Sequence, residues 1–505
     1  MPVPRLSADD TVAVIDIGSN SGRVVVYRLH GEGYLRILAT ARASLRLVRE
    51  IEDGHTLTLE AVERTLEALQ DFRAIARGAG ARRTVALATA AVRDADNGLA
   101  FIRRVKRELG FDVRILTGEE EARFGFIGAV RGLPLRNGVL FDVGGGSMQV
   151  TRFRDRRLLR SWSFPIGALR LSDTFLRADP PSDREVRRLQ RHVLGFFEDA
   201  DLRPLRQGEA LVGTGGTVRN LAKIDQRAHG YPVPRIHGYV LTRQRLDDVT
   251  NLVASRRQKK RGSISGLNDD RADSIVGGSL AIQTLADVMG AQAIHVSGQG
   301  VREGMAYSLM SREMPEARQV RDASVLALAR AFSEWDASSA RRRAAMANTL
   351  LRAIDRRAGA EIREALSHAA TILDVGRSID YFERHDHVAD IVLATDLVGF
   401  SHREIALLSA IVRNAGDDGS GPKPYAPLLD GDDRGAIERA ATILALADDI
   451  GERCPPRRSV SIRCTTTRSR AVVSVLGLVG WRPRRIGSRF QRVFGRSLRV
   501  VPRTR

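Results

Sequence analysis

Asp142-Val143-Gly144-Gly145-Gly146-Ser147 is a turn nearly free of side chains, set between two apolar runs, Gly138-Val139-Leu140-Phe141 and Met148-Gln149-Val150. That order predicts a strand, a glycine turn and a second strand. Backbone N–H groups at such a tip can approach an anion closely, and the aspartate at its root can hold a metal ion or its waters. Taken alone, the stretch also fits an ordinary turn. The chain, however, holds the pattern twice. Thr11-Val-Ala-Val-Ile15 leads into Asp16-Ile17-Gly18-Ser19-Asn20-Ser21-Gly22, and the apolar run Val24–Leu29 follows. Asp142 lies 126 positions after Asp16. Two such turns, each opening an alternation of strands and helices, predict a duplicated α/β core whose lobes flank a cleft, with phosphates held by both turns at once.

The residues between the two turns fit this frame. Leu57 to Ala76 carries apolar residues at helical spacing, and Thr84–Thr89 reads as a buried strand followed by Ala90-Ala-Val-Arg93-Asp94. A helix over Asn97–Leu109 ends at Gly110. After a short strand, Thr117-Gly118-Glu119-Glu120-Glu121 opens a helix to Val130. Three carboxylates in a first turn suit the helix dipole and can simply cap it, or one can point into the cleft as a base. Beyond the second turn, Ile166–Arg170 reads as a loop, Ser255–Arg261 as a solvated basic run and Arg271-Ala-Asp273 as the start of a helix to Val288. Gly213–Gly216 and Gly298–Gly300 are further glycine turns, each after an apolar strand, and ligands gather at such strand ends.

Composition bounds the partners. The 505 residues carry a net charge of +20, mostly from arginine, which predicts attraction to polyanions: nucleic acid, polyphosphate or phosphorylated nucleotides. Two cysteines, Cys454 and Cys464, supply neither a disulfide framework nor a metal quartet. Residues 1–10 show no signal-peptide core, and no apolar run approaches the ~20 residues of a membrane span, so a cytoplasmic protein without membrane contact is expected. Around Ser311–Pro315 the pattern turns helical and stays so to about Asp449; Ser459–Val479 returns to β-like alternation. The tail from Trp481 to Arg505 holds nine arginines and no acid, interleaved with Phe490, Val493, Phe494 and Leu498. That spacing fits a helix with a packed apolar face and leaves a nucleic-acid contact open. The expected domains are lobe I over 1–130, lobe II over 131–312 and a mainly helical domain with a basic tail over 313–505.

Six collinear motifs carry a resemblance: Ala13–Ser21, Ala88–Ala95, Gly118–Arg123, Asp142–Ser147, Gly213–Thr217 and Ser297–Gly304. In them the chain resembles the exopolyphosphatase/guanosine pentaphosphate phosphohydrolase (Ppx/GppA) family of the sugar kinase–heat-shock ATPase–actin superfamily. His368–Asp380 and Gly399–His402 are similar to the family's helical, HD-related C-terminal domain. The resemblance implies an actin-like (RNase H-like) core of two lobes, a homodimer, and Mg²⁺-dependent removal of terminal phosphate from polyphosphate or pppGpp. It implies Glu121 as the base that takes a proton from the attacking water and Arg93 as the clamp on the phosphoryl oxygens. It places Ser19, Asn20, Gly144, Gly145, Gly146, Ser147 and Arg271 on phosphate, and Asp142 and position 149 on the metal.

Two positions depart from the family pattern. Gln149 stands where the family usually has glutamate, and an amide can neither accept a proton nor bring the charge that binds Mg²⁺ well. Leu373 precedes Asp374 where a metal-binding HD motif has histidine, which points to structural roles for His368, Asp374 and His402. The leading expectation is an exopolyphosphatase. Beside it stand a pppGpp 5'-phosphohydrolase, a weakly active polyphosphate- or nucleotide-binding regulator, and a superfamily kinase or ATPase.

Overall fold

The computed structural model describes residues 10–30, 33–47, 56–310, 313–416, 423–455, 460–478 and 481–503. The N-terminal stretch read above for a leader falls, over residues 1–9, outside these. The chain divides into two compact units, one of residues up to Tyr231 with Ile236–Val320, the other of Pro232–Arg235 with Arg321 onward.

In the first unit, Thr11–Ile17 (β1), Ser21–His30 (β2), Tyr34–Ser44 (β3), Arg83–Ala88 (β4) and Val113–Ile115 (β5) form a sheet in the order β3-β2-β1-β4-β5. β1 is central and every residue of it but Asp16 is buried. Its unbroken apolar run serves both faces: Val12 and Val14 meet Tyr27 and Leu87, while Ala13, Ile15 and Ile17 meet Phe72 and Phe101. Gly138–Val143 (β6), Met148–Arg154 (β7), Arg157–Phe164 (β8), Ala210–Thr214 (β9), Tyr239–Thr242 (β10) and Ala293–Val296 (β11) form the second sheet, ordered β10-β11-β9-β6-β7-β8.

Read from β8, the second sheet repeats the first: an antiparallel meander, then two parallel strands, with β10 as an added antiparallel edge. The two glycine turns match as well. Gly18 N–H donates to Ser21 O at 3.2 Å, and Gly144 N–H donates to Ser147 O at 2.9 Å. The expected duplication is therefore a duplication of topology and of turn geometry. This is the actin-like α/β core.

The last helix of the core, Val301–Met310, packs on helix Gly118–Arg131 and joins Met305, Tyr307 and Leu309 to the side of the first sheet that holds Val12 and Val14. The helices approach closely because glycines meet: a Cβ on Gly304 would fall 1.8 Å from the Phe124 carbonyl oxygen. Three local readings change. Residues 168–170 of the expected loop open a helix, Ala168–Phe175, because the Gly144 and Gly145 carbonyls accept the first N–H groups of Ala168 and Leu169 at 2.9 and 3.0 Å. Arg271 closes a 3₁₀ turn, Asp269–Arg271, ahead of the helix Ile275–Met289. Arg261 of the basic run is buried, its guanidinium donating to the Val253 and Ala272 carbonyls at 3.0 Å.

In the second unit, five helices, Ala337–Ile354, Ala360–Ile372, Arg384–Ala394, His402–Ala415 and Asp433–Glu452, share one apolar core. Ile462–Thr466 (β12), Arg470–Leu476 (β13) and Ser497–Arg503 (β14) form a small sheet, and helix Arg484–Phe494 crosses between the parallel β13 and β14. That helix buries Ile486 and Phe490, the apolar face expected of the tail. Asp374 is gripped by Arg343 at 2.6 Å and Arg377 at 3.0 Å, and His368 Nε2 lies 2.8 Å from Asp322. Among the described residues, no helix is long and apolar enough to cross a membrane.

Candidate active site

The two glycine turns face one cavity of about 220 Å³ in the first unit. Asp16 and Asp142 come to it from the ends of β1 and β6, one from each lobe. Glu121 comes from the first turn of helix Gly118–Arg131, whose start is fixed by a capping box: Thr117 accepts from Glu120 N–H, and the Glu120 carboxylate reaches back to Thr117 N–H. Glu120 is thereby engaged with the N-cap residue Thr117, while its neighbour Glu121 lines the cavity. Ser19, Asn20, Gly144, Gly145, Ser147 and Arg271 line the same space. The starts of helices Gly216–Ala228 and Val301–Met310 close it. Gly215, at φ 90°, has no alternative there, since a Cβ would sit 2.2 Å from Asp142 Oδ1.

Three of the expected site residues stand back from the cavity wall. Arg93, at the end of the short helix Ala90–Arg93, has Nη1 3.6 Å from Glu121 Oε2 and donates to the Leu116 carbonyl at 3.0 Å and to Asp94 at 3.1 Å. Gly146 is not part of the lining, although its neighbours Gly145 and Ser147 are. Gln149 is 3 % exposed, and its Nε2 donates to Ser147 Oγ at 2.8 Å and to Ser163 Oγ at 3.3 Å.

Five cations line the cavity that the motifs alone did not assign: Arg23, Arg42, Arg219, Lys223 and Arg302. Strand register explains the first two. Asp16 on β1 faces Arg23 on β2, and Arg23 faces Arg42 on β3, so one row across three strands carries an acid and two bases. The signal available in the sequence was the spacing of Arg23 from Asp16 together with the hairpin; β3 carries no glycine mark. Arg219 follows the third glycine turn and donates to the Ser297 carbonyl at 3.0 Å, and Arg302 pairs with Asp16 at 3.1 Å.

Burial sets the electrostatics. It pushes the Glu121 carboxyl up to about 8, with Asp142 and Asp16 adding to the rise and Arg93 opposing it. It also raises Asp142 and Asp16, against the pull of Arg219 and Arg302. Burial and the crowding of Arg302, Arg42 and Arg219 bring Arg23 down to about 10, and Arg271, Arg219 and Lys223 are lowered for the same kind of reason. Cations pressed together out of water, beside carboxylates that resist ionisation, form a site that a bound anion and a bound cation would both relieve. Three buried polar atoms point the same way: among the described residues, Glu121 Oε2 and both side-chain polar atoms of Asn20 find no hydrogen-bond partner.

The chain matches the model of the Ppx/GppA phosphatase family over residues 25–313 and that of Ppx/GppA phosphatase domain III over 320–448. The chain belongs to the Ppx/GppA phosphatase family. It is a hydrolase of that family, whose phosphatases depend on a metal ion. Exopolyphosphatase 1 of Mycobacterium tuberculosis is 28 % identical over 318 residues, 62 % of this chain and 92 % of its own length. Exopolyphosphatase 2 of the same organism is 30 % identical over 317 residues, 59 % and 98 % of the two chains. Among solved structures, the Aquifex aeolicus Ppx/GppA protein superposes with a TM-score of 0.53 at 28 % identity, covering 59 % of this chain and 97 % of that one. A Cytophaga hutchinsonii exopolyphosphatase gives 0.54 at 25 % identity, covering 60 % and 100 %. Each of these relatives and structures covers about three fifths of this chain.

Proposed function

We propose that this chain is an exopolyphosphatase that removes the terminal phosphate of inorganic polyphosphate by attack of an activated water in the cleft between its lobes. The observation that carries the choice of substrate is the cavity lining, which among the described residues holds six cationic side chains, Arg23, Arg42, Arg219, Lys223, Arg271 and Arg302, and no aromatic one. A phosphate chain uses such a row throughout its length, whereas a guanine base calls for a stacking surface and edge partners. pppGpp is the alternative substrate.

In this reading the turns at Ser19–Asn20 and Gly144–Ser147 receive the terminal phosphate through N–H and O–H donors. Arg93 swings from its 3.6 Å contact with Glu121 onto the phosphoryl oxygens. Glu121 takes the proton of the attacking water; its raised pKa suits it to do so near neutral pH. Asp142 and Asp16 would hold Mg²⁺, which when bound would offset the charge of the carboxylates and of the phosphate oxygens. Gln149 serves the metal only at one remove, by fixing the hydroxyl of Ser147. The family resemblance adds a homodimer to the proposal, and the sequence reading adds a cytoplasmic location.

Phosphate release from long polyphosphate, pppGpp and ATP, measured with Mg²⁺ for wild type and Glu121→Gln, tests it. Turnover of polyphosphate above that of both nucleotides, lost in Glu121→Gln, supports it. Faster turnover of pppGpp than of polyphosphate defeats the substrate choice, and tight polyphosphate binding without turnover leaves a regulator in place of an enzyme.

A further inference from the structure

The net charge of this chain is concentrated at one end. After Glu452 there is no acidic residue to the last position, and residues 453–505 contain 15 arginines, leaving +5 of the net +20 to the other 452 residues. These residues include β12, β13, β14 and helix Arg484–Phe494, past the end of the domain III match at 448. One side of that small sheet packs on the core of the second unit through Ala471, Val473, Val475 and Val500. The other side presents the exposed Arg463, Arg470, Arg499 and Arg503. A separate concavity of about 740 Å³ opens beside the start of helix Arg484–Phe494. Its lining includes the exposed Arg482, Arg484 and Arg492, and none of these three pairs with a carboxylate among the described residues. The half-buried Trp481 shares the lining and carries the Arg453 guanidinium 4.3 Å from its ring centre. Arg489 is a structural member, donating to the Thr442 hydroxyl and the Asn414 and Gly416 carbonyls, which fixes the helix in place.

We propose that this acid-free appendage is a nucleic-acid-binding site, with a single strand seated in the concavity at Trp481, Arg482, Arg484 and Arg492. Two features favour a nucleic acid over inorganic polyphosphate. Arg484 and Arg492 are eight residues apart on one helix, about 12 Å along its axis, a spread that suits successive nucleotides better than the tightly spaced phosphates of a polyphosphate chain. The indole in the lining, half-buried against the core with the Arg453 guanidinium over its ring, offers its open edge to a base and nothing to a bare phosphate. The arginines of the sheet face extend the attraction and draw the strand in.

The test is fluorescence anisotropy of a labelled single-stranded RNA of roughly 20 nucleotides, a length exceeding one such site, against the full chain over a salt series. Wild type binds, with log K falling linearly in log salt. The triple variant Arg482→Ala/Arg484→Ala/Arg492→Ala weakens binding at least about tenfold and reduces the salt slope by about 2. Its thermal unfolding and its phosphate release from polyphosphate match wild type. Trp481→Phe retains RNA affinity and Trp481→Leu loses several-fold. Three results overturn the proposal: no RNA binding at low salt, equal binding by the triple variant, or a raised KM for polyphosphate in that variant, which would assign the concavity to polyphosphate instead.

Discussion

Gln149 occupies in the second lobe the place that Arg23 occupies in the first: each lies seven residues after the aspartate of its lobe and directly across an antiparallel strand pair from it. Arg23 faces Asp16, and Gln149 faces Asp142. The duplicated turn therefore presents a charged partner on one side of the cleft and a neutral one on the other. The neutral one is buried behind Ser147 rather than facing the cavity.

Gln149→Glu tests what that amide does. Residues directly opposite in an antiparallel pair have Cβ atoms about 5 Å apart, so the variant sets a second carboxylate beside Asp142. Without metal it should cost about 1–3 kcal/mol of stability, as a buried charge near a like charge does. With Mg²⁺ the loss should shrink, and half-maximal activity should be reached at a lower Mg²⁺ concentration than in wild type. Thermal unfolding with and without chelator, and a metal titration of activity, measure both. An unchanged metal requirement would show that position 149 has no bearing on the metal.

Glu121 gives the protein a pH signature. Its carboxyl is pushed from 4.5 to about 8, first by burial. A group that holds its proton more tightly when folded contributes stability that is full below the unfolded pKa and is lost as pH rises through the folded one. In chelator, wild type should therefore lose stability relative to Glu121→Gln between about pH 4.5 and 8, at most by roughly 1.4 kcal/mol for each pH unit of that window. A difference that stays flat across the window in thermal unfolding would contradict the assignment. In wild type with metal, the acid limb of the activity profile should move to lower pH as Mg²⁺ is raised.

Arg93→Lys should lower kcat/KM for polyphosphate about 10²-fold, with unfolding little changed. Lysine keeps the charge but cannot grip two phosphoryl oxygens while remaining near Glu121. Steady-state kinetics decide it; a loss below about threefold would make Arg93 a structural partner of Asp94 and the Leu116 carbonyl alone.

In the cavity lining, Arg42 on β3 pairs with Asp270, next to Arg271, and so ties the two lobes together beside the cavity. Both side chains are about one quarter exposed, so the pair itself contributes no more than about 1 kcal/mol. Asp270→Asn frees Arg42 for substrate: KM for long polyphosphate should fall several-fold at low salt, with kcat unchanged and the gain fading at high salt. An increase in KM would show that Asp270 positions Arg42 for the chain rather than competing with it.

What was legible in the sequence was local. The turns at Asp16–Ser21 and Asp142–Ser147, the capped start at Thr117–Glu121 and the glycine turns at Gly213 and Gly298 each carry their geometry in consecutive residues, so the lobes and most of the wall could be read. What could not be read depends on register and on packing between distant elements. Arg42 enters the cavity only because β3 pairs with β2 in one register out of several. Arg302 does so because glycines 128 and 304 let two helices close on each other. Residues 168–175 become helical because a glycine turn about twenty residues earlier accepts their first N–H groups, which no local pattern announces.

The central claim is that water activated by Glu121 cleaves polyphosphate between the two turns. Phosphate release from long polyphosphate with Mg²⁺, compared between wild type and Glu121→Gln at equal substrate occupancy, tests it most directly. The variant is expected to bind polyphosphate at least as tightly as wild type, having lost a negative charge from the cleft, and to turn over at least about 10²-fold more slowly, the usual contribution of a positioned base. A variant that releases phosphate at the wild-type rate would contradict the claim.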